Sequence, residues 1–354
     1  MQKDTGRTNG VLRFISNQRH YLAAALCVLL LCVAHGRGSL PPVLFPADPA
    51  PAATPASAAL PAFIHIDTLP GASMRVRAPR LTALPDGRLA AVWLGEGHGR
   101  YQADQAIWFS TLGDKGWHEA YALSTREDAA GYALAHLSAI GPPQVLAHAG
   151  RIDLWFEAHG PGLGSRPSIY TMVSHDAGQS WSAPRRLSVS PWLQGGSRHL
   201  SGAPRALADG GCLLRLGNDK STQTLGLRLN AQGQVLTVQE APVPHAPAAS
   251  TALPSHGPHA LLTLPDGRLL LAGSIDPEGS RLWLWSSADA GRSWRALRQI
   301  AGTAPTPDTA PQPFDPALHL TPDGHIHLLY VRDGQSLQHL RFTPAWLAEG
   351  GAAP

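Results

Sequence analysis

Ser174-His175-Asp176-Ala177-Gly178-Gln179-Ser180-Trp181 and Ser287-Ala288-Asp289-Ala290-Gly291-Arg292-Ser293-Trp294 share one pattern, S-x-D-x-G-x-S-W. Each copy follows an aromatic-rich alternating run and precedes a second polar-apolar run. The spacing predicts a β-hairpin turn. The Asp carboxylate can accept from backbone N–H groups further along the turn, and the Gly supplies the positive φ it needs. The Trp then opens the return strand and can bury against a neighbouring unit. A decayed third copy keeps only its ends, Ser110 and Trp117, with Gly113-Asp114 displaced between them.

Outward from these turns the chain repeats. A strand-turn-strand phrase recurs at Pro79–Trp93, Pro143–Phe156, Pro204–Leu216, Pro258–Ala272 and Pro316–Tyr330. Its turn positions Asp86, Ala149, Asp209, Asp266 and Asp323 are spaced 63, 60, 57 and 57 residues apart. That period suits one four-stranded propeller blade with its loops. Third strands are expected at Ala106–Phe109, Ile169–Val173, Leu225–Leu229 and Leu282–Trp285. Fourth strands should begin at Trp117, Trp181, Gln234 and Trp294. The last repeat supplies three strands, ending at Leu340–Phe342, and Ala62–Ile66 is an orphan strand that could complete it. Pairing the two would close the ring and remove an exposed sheet edge. The expectation is an all-β propeller of five blades, the last closed by an N-terminal strand.

The front of the chain bears on compartment. Lys3, Arg7, Arg13 and Arg19 precede an apolar run from Tyr21 to Ala34. The run is short for a bilayer span and suits a signal-peptide core, with Ala34-His35-Gly36 offering small residues for cleavage before Arg37. The rival is an uncleaved anchor at 21–34 in the inner membrane. Both imply an exported chain, periplasmic or secreted if cleaved. The expected organisation is leader or anchor over 1–36, a Pro/Ala-rich linker over 37–60, the propeller over 61–345 and a tail over 346–354.

Composition narrows the chemistry. The formal net charge is +3, with no basic block, which argues against a nucleic-acid partner. Lys is nearly absent while Arg is common, a bias that reads as bacterial coding. Only Cys212 follows the leader, so no disulfide framework is available. The 17 His show no metal-ligand spacing. His325 and His327 share a strand face, an arrangement read as packing or surface. No metal and no cofactor are expected.

The S-x-D-x-G-x-S-W turn is the Asp box, and with the repeats it makes residues 61–345 resemble the sialidase, or BNR-repeat, superfamily. Typical relatives have six blades, the alternative count here. Leu253-Pro254-Ser255-His256-Gly257 echoes the entry to their fifth blade, and the short segment 241–254 leaves no room for the blade before it. The resemblance implies an exo-acting glycoside hydrolase for a sialic-acid-like or other acidic sugar, held by three arginines. Arg77 in Arg77-Ala78-Pro79 matches the first, Arg215 the second and Arg281 the third. In the acidic loop Gly95–Asp104, Asp104 and behind it Glu96 are the acid/base candidates. The family's nucleophilic Tyr should fall at Asp315, and its Glu partner is not found. The alternative is therefore a non-catalytic propeller that binds glycan or protein in the cell envelope.

Each residue also has a structural reading. Any one of the arginines alone could be a surface residue of an Arg-rich chain. Ser174, Asp176, Gly178 and Trp181, like Ser287, Asp289, Gly291 and Trp294, belong to turns. Trp108, Trp155, Trp283 and Trp285 are expected between blades, and Trp192 is the candidate for stacking on a glycan.

Overall fold

The computed structural model describes residues 21, 23–30, 60–69, 73–97, 104–162, 167–187, 198–218, 221–240, 255–274, 281–302 and 314–348. The chain divides into two units, Met1–Leu44 and Phe45–Pro354. In the first, residues 23–30 are helical and exposed. Among the described residues no helix is long and apolar enough to cross a membrane. The basic residues ahead of the apolar run, the cleavage motif, Trp192 and all of the linker but Leu60 lie outside the described residues.

The second unit is a five-bladed propeller of antiparallel sheets. Blade one runs Arg75–Ala83, Leu89–Glu96 and Ala106–Gly113, with its outer edge split into Gly116–Trp117 and Tyr121–Thr125. Blade two has a first strand in two pieces, Ala139–Ile140 and Gln144–His148, then Arg151–His159, Ser168–Ser174 and Arg185–Arg186. Blade three likewise begins with Arg198–Leu200 and Arg205–Ala206, followed by Cys212–Asn218, Ser221–Leu229 and Val235–Glu240. Blade four is His256–Thr263, Leu269–Ser274, Leu282–Ser287 and Arg295–Ala301. Blade five takes Ala317–Leu320, Ile326–Arg332 and Ser336–Phe342, and its fourth strand is Ile64–Leu69. Ile64 pairs with Phe342 and Ile66 with Leu340, so the N-terminal strand closes the ring as expected, extending to Leu69.

Alternation explains the packing. In Leu89–Glu96 the residues Ala90, Val92 and Leu94 join a core with Ile140, Leu154, Phe156 and Tyr170 of blade two. The intervening Leu89, Ala91 and Trp93 join Leu329, Val331 and Leu337 of blade five. A strand buried on both faces must be apolar at every position, and this one nearly is. Trp155 is buried in the core between blades two and three. The hairpins joining first and second strands repeat one geometry: the N–H groups of Gly87, Gly210, Gly267 and Gly324 donate to the carbonyls of Leu84, Leu207, Leu264 and Thr321.

The box turns are built from local bonds. Ser174 Oγ donates to Asp176 Oδ1 and accepts from Gly178 N, while Asp176 accepts from Ser180 N and Oγ. Ser287, Asp289, Gly291 and Ser293 repeat the set. Gly178 has φ +91° and no room for a Cβ, which would lie 2.5 Å from Phe109 Cζ in blade one. Trp181 packs edge-on against Phe109, its Nε1 3.3 Å from Tyr121 Oη. Trp181 and Trp294 are half-buried rather than buried. In the decayed copy, Trp117 is buried edge-on against His339 of blade five. Each of these two tryptophans therefore reaches the preceding blade.

Two helices lie beyond the repeat. Arg126–Ala133 follows blade one with a capping box, Thr125 and Asp128 bonding each other's backbone N–H. Pro344–Ala348 follows the last strand and buries Trp346 and Leu347.

Candidate functional site

First strands of successive blades touch one another between blades one and two, two and three, four and five, and five and one, so they surround the axis. Antiparallel order puts first-strand starts, second-strand ends and third-strand starts on one face, the mouth. The boxes and first hairpins lie on the other.

Proline interrupts the first strands near that mouth. The register shifts between Arg77 and Arg80 and between His256 and His259, and the first strands of blades two and three are split. Pro79, Pro142-Pro143, Pro204 and Pro258 sit in these breaks, and Pro316 just precedes blade five's first strand. Proline cannot donate to the ladder and is tolerated at an inner edge. The residue before it takes up the bend: Gly257 has φ 79°, Ala78 has φ 47° and Asp315 has φ 41°. Glycine adopts that conformation freely; an alanine or aspartate there stores strain of about 1–3 kcal/mol.

These two strained residues meet. Ala78 N donates to Asp315 Oδ2 at 3.0 Å. Arg80 lies behind them, its Nε donating to Gln144 Oε1 and its Nη1 to the Pro79 carbonyl. Burial lowers the Arg80 pKa, opposed by the charge of Asp315. Beside them a pocket of about 340 Å³ opens between blades one and five, lined by Arg75, Arg77, Glu96, Asp315, Asp333 and backbone of Gly334 among others. Val76 N donates to the Gly334 carbonyl across this seam. Arg77 Nη1 is 3.8 Å from Glu96 Oε1, an ion pair with an exposed arginine. Gln105 Nε2 donates to the same Glu96 oxygen at 3.1 Å. Glu96 Oε2 and Asp315 Oδ1 carry no hydrogen bond among the described residues.

Of the residues singled out from sequence, Arg77, Glu96 and Asp315 therefore share one pocket. Asp104 is exposed and packs over Gly97, whose absent Cβ would fall 2.6 Å from Asp104 Oδ2. Arg215 sits in the second strand of blade three. Its pKa is lowered by burial and then by the neighbouring charge of Arg205. Arg281 precedes the third strand of blade four at the mouth end. None of these three lines the pocket. Among the described residues no cluster of His, Cys, Asp or Glu has the arrangement of a metal site.

Sequence reading missed Arg80, Gln105 and Gln144. It also missed Glu157, a buried carboxylate joining blades two and three. Glu157 accepts from Leu200 N, lies 3.1 Å from His199 Nδ1 and 3.7 Å from His159 Nε2.

Residues 87–225 match the BNR repeat-like domain model. With the paired boxes and the closed ring, the chain is a β-propeller that resembles the sialidase-like BNR-repeat proteins. Among solved structures it is similar to the Hadza microbial sialidase Hz136, at 15% identity and TM-score 0.51, over 77% of this chain and 66% of that one. It thus spans just under two thirds of that sialidase. It is also similar to the GH43_1 enzyme from Xanthomonas citri, at 13% identity and TM-score 0.51, over 78% and 90% of the two chains. At these identities the likeness is one of fold. No curated protein sequence matches the chain.

Proposed function

We propose that the protein is a glycoside hydrolase working in the pocket between blades one and five. The observation that carries the reading is a pair of carboxyl groups there, each anchored through one oxygen and, among the described residues, unbonded at the other: Asp315 held by Ala78 N–H, Glu96 by Gln105. Glycoside cleavage needs one group to protonate the leaving oxygen and another to attack the anomeric carbon or activate water. Glu96 Oε2 and Asp315 Oδ1 are the atoms available for those tasks. Asp315 stands where the family's tyrosine is expected, which makes a carboxylate the nucleophile or base. Arg75 and Arg77, two apart on one strand face, are the groups that would take the carboxylate of an acidic sugar. We further infer that the chain acts outside the cytoplasmic membrane, from the basic residues ahead of the apolar run at 21–34.

One observation favours the alternative of a binding propeller. Among the described residues no tyrosine lines the pocket, and Tyr330, in the adjoining strand, is buried in the core between blades four and five. The test is the purified full chain on a panel of aryl glycosides and sialosides, beside Glu96→Gln and Asp315→Asn. Hydrolysis of at least one member, lost in both variants, supports the enzyme. Glycan binding without hydrolysis, abolished by Arg77→Ala, supports the binding module. N-terminal sequencing of protein recovered from the periplasm and membranes tests the leader.

A further inference from the structure

We propose that Gln105 is the positioning residue for Glu96, which rests on the reading of Glu96 as a reacting group. Gln105 immediately precedes the third strand of blade one and is 2% exposed, directly after the exposed Asp104. Ile140 N of blade two donates to its Oε1 at 2.8 Å. A backbone N–H can only donate, so this bond fixes which end of the amide is oxygen. The other end must then be NH₂, and it lies 3.1 Å from Glu96 Oε1. Flipping the amide would set NH₂ against the Ile140 N–H and oxygen against a carboxylate, losing both bonds at once. The Gln105 carbonyl in turn accepts from Arg126 N at 2.9 Å, where the helix Arg126–Ala133 begins.

The buried amide is therefore held by blade two and by the helix, and it hands a donor of fixed direction to Glu96. That settles which Glu96 oxygen is occupied and leaves Oε2 for the reaction. Nothing about a buried glutamine for packing requires this polarity; an apolar residue would fill the volume.

The isosteric change Gln105→Glu separates the two roles. Its carboxylate still accepts from Ile140 N–H, so the blade contact survives, but the donor to Glu96 becomes a like charge. Carbon-detected NMR titration of the Glu96 carboxyl, in the full chain carrying labelled glutamate, should show its midpoint moved up by about one pH unit or more relative to wild type. The acidic limb of kcat/KM, measured on whichever aryl glycoside the wild type cleaves, should move with it. Gln105→Leu, checked for folding by thermal melt, should lower kcat about tenfold with little change in KM, because Glu96 is then misplaced. If the Glu96 titration and the pH profile of Gln105→Glu superimpose on wild type while Glu96→Gln is inactive, Gln105 is structural only and the proposal fails alone. Full activity in Glu96→Gln would instead remove Glu96 from the chemistry and overturn both readings.

Discussion

The two ends of a blade are built on opposite principles. At the box end, Ser174, Asp176, Gly178 and Ser180 satisfy one another within a few residues, and these local bonds hold two successive left-handed positions, Ala177 at φ 56° and Gly178 at φ 91°. At the mouth, Ala78 and Asp315 occupy left-handed positions before prolines, and two carboxyl oxygens have no partner among the described residues. Left-handed alanines occur at both ends, Ala177 and Ala290 in the boxes and Ala78 at the mouth, so what separates the ends is bonding capacity, closed within the boxes and left open at the mouth. The rule that polar groups find partners is broken where a site is built and kept where only stability is at stake. The shared strands carry the stability of one end to the other.

The contrast is sharpest for activity. Glu96→Gln and Asp315→Asn should each lower kcat/KM on a cleaved glycoside by about 10²–10⁴-fold, with thermal midpoints close to wild type. The same measurement on Asp176→Ala should show a lowered melting temperature and unchanged kcat. An inactive but fully stable Asp176→Ala would move the site to the boxes and dissolve the distinction.

Next in size is Gly178→Ala. The new methyl meets a rigid ring in the adjoining blade, and the residue must also keep φ near +91°. Overpacking and backbone strain together predict a loss of about 4 kcal/mol in urea unfolding. A loss no greater than that of an ordinary surface change would mean that the box is not a blade-to-blade contact.

Acid should act on the box end through a buried imidazole pair. His327 and His339 stack with 2.9 Å between Nδ1 and Nε2, and His339 also meets Trp117 edge-on. Burial pushes their pKa values down to about 3 and about 4. His65, Asp67, His319, Asp323 and Arg341 add their charges. Both rings are neutral in the fold and charge on unfolding, so the unfolded chain binds more protons below its own pKa near 6.5. Stability is therefore full above about pH 6.5 and falls as pH drops toward the folded values. A decrease of about 2 kcal/mol between pH 7 and pH 5.5 is expected from urea midpoints. His327→Leu with His339→Leu should flatten that slope. Asp176 and Asp289, held near pKa 2 chiefly by Ser180 and Ser293, add a separate loss below about pH 3.8.

The same contrast governs what could be read from sequence. The boxes and the five-fold repeat were legible because their bonds are local and glycine marks their turns. Ring closure was legible because three strands lacked a fourth. The helix Arg126–Ala133 went unread although Thr125 and Asp128 spelled its capping box, since so polar a segment shows no apolar stripe. Arg77, Glu96 and Asp315 were found through the family resemblance rather than through spacing. Arg80 was missed because the bulge at Pro79 reverses the alternation, so parity counted from Arg77 points it the wrong way. Gln105 gave no signal at all: its partners Glu96 and Ile140 belong to different blades, and only register brings them together.

The smallest effect tests the strain itself. Gly257 and Ala78 both precede a proline at the first-strand bend, in blades four and one, with φ 79° and 47°. Exchanging their identities should move stability in opposite directions. In Gly257→Ala the new Cβ meets nothing within 4 Å, so only the left-handed conformation opposes it. A loss of about 1 kcal/mol follows, the conformational penalty reduced by the lower entropy of the unfolded alanine chain. In Ala78→Gly the penalty is relieved while unfolded entropy rises, and a net gain of about 0.5 kcal/mol is expected. The bond from residue 78 to Asp315 comes from the backbone and survives the change. A stabilised Ala78→Gly with reduced kcat would mean that the alanine is kept for the stiffness it gives the Asp315 anchor. A destabilised Ala78→Gly would mean that its methyl is worth more in packing than its φ costs.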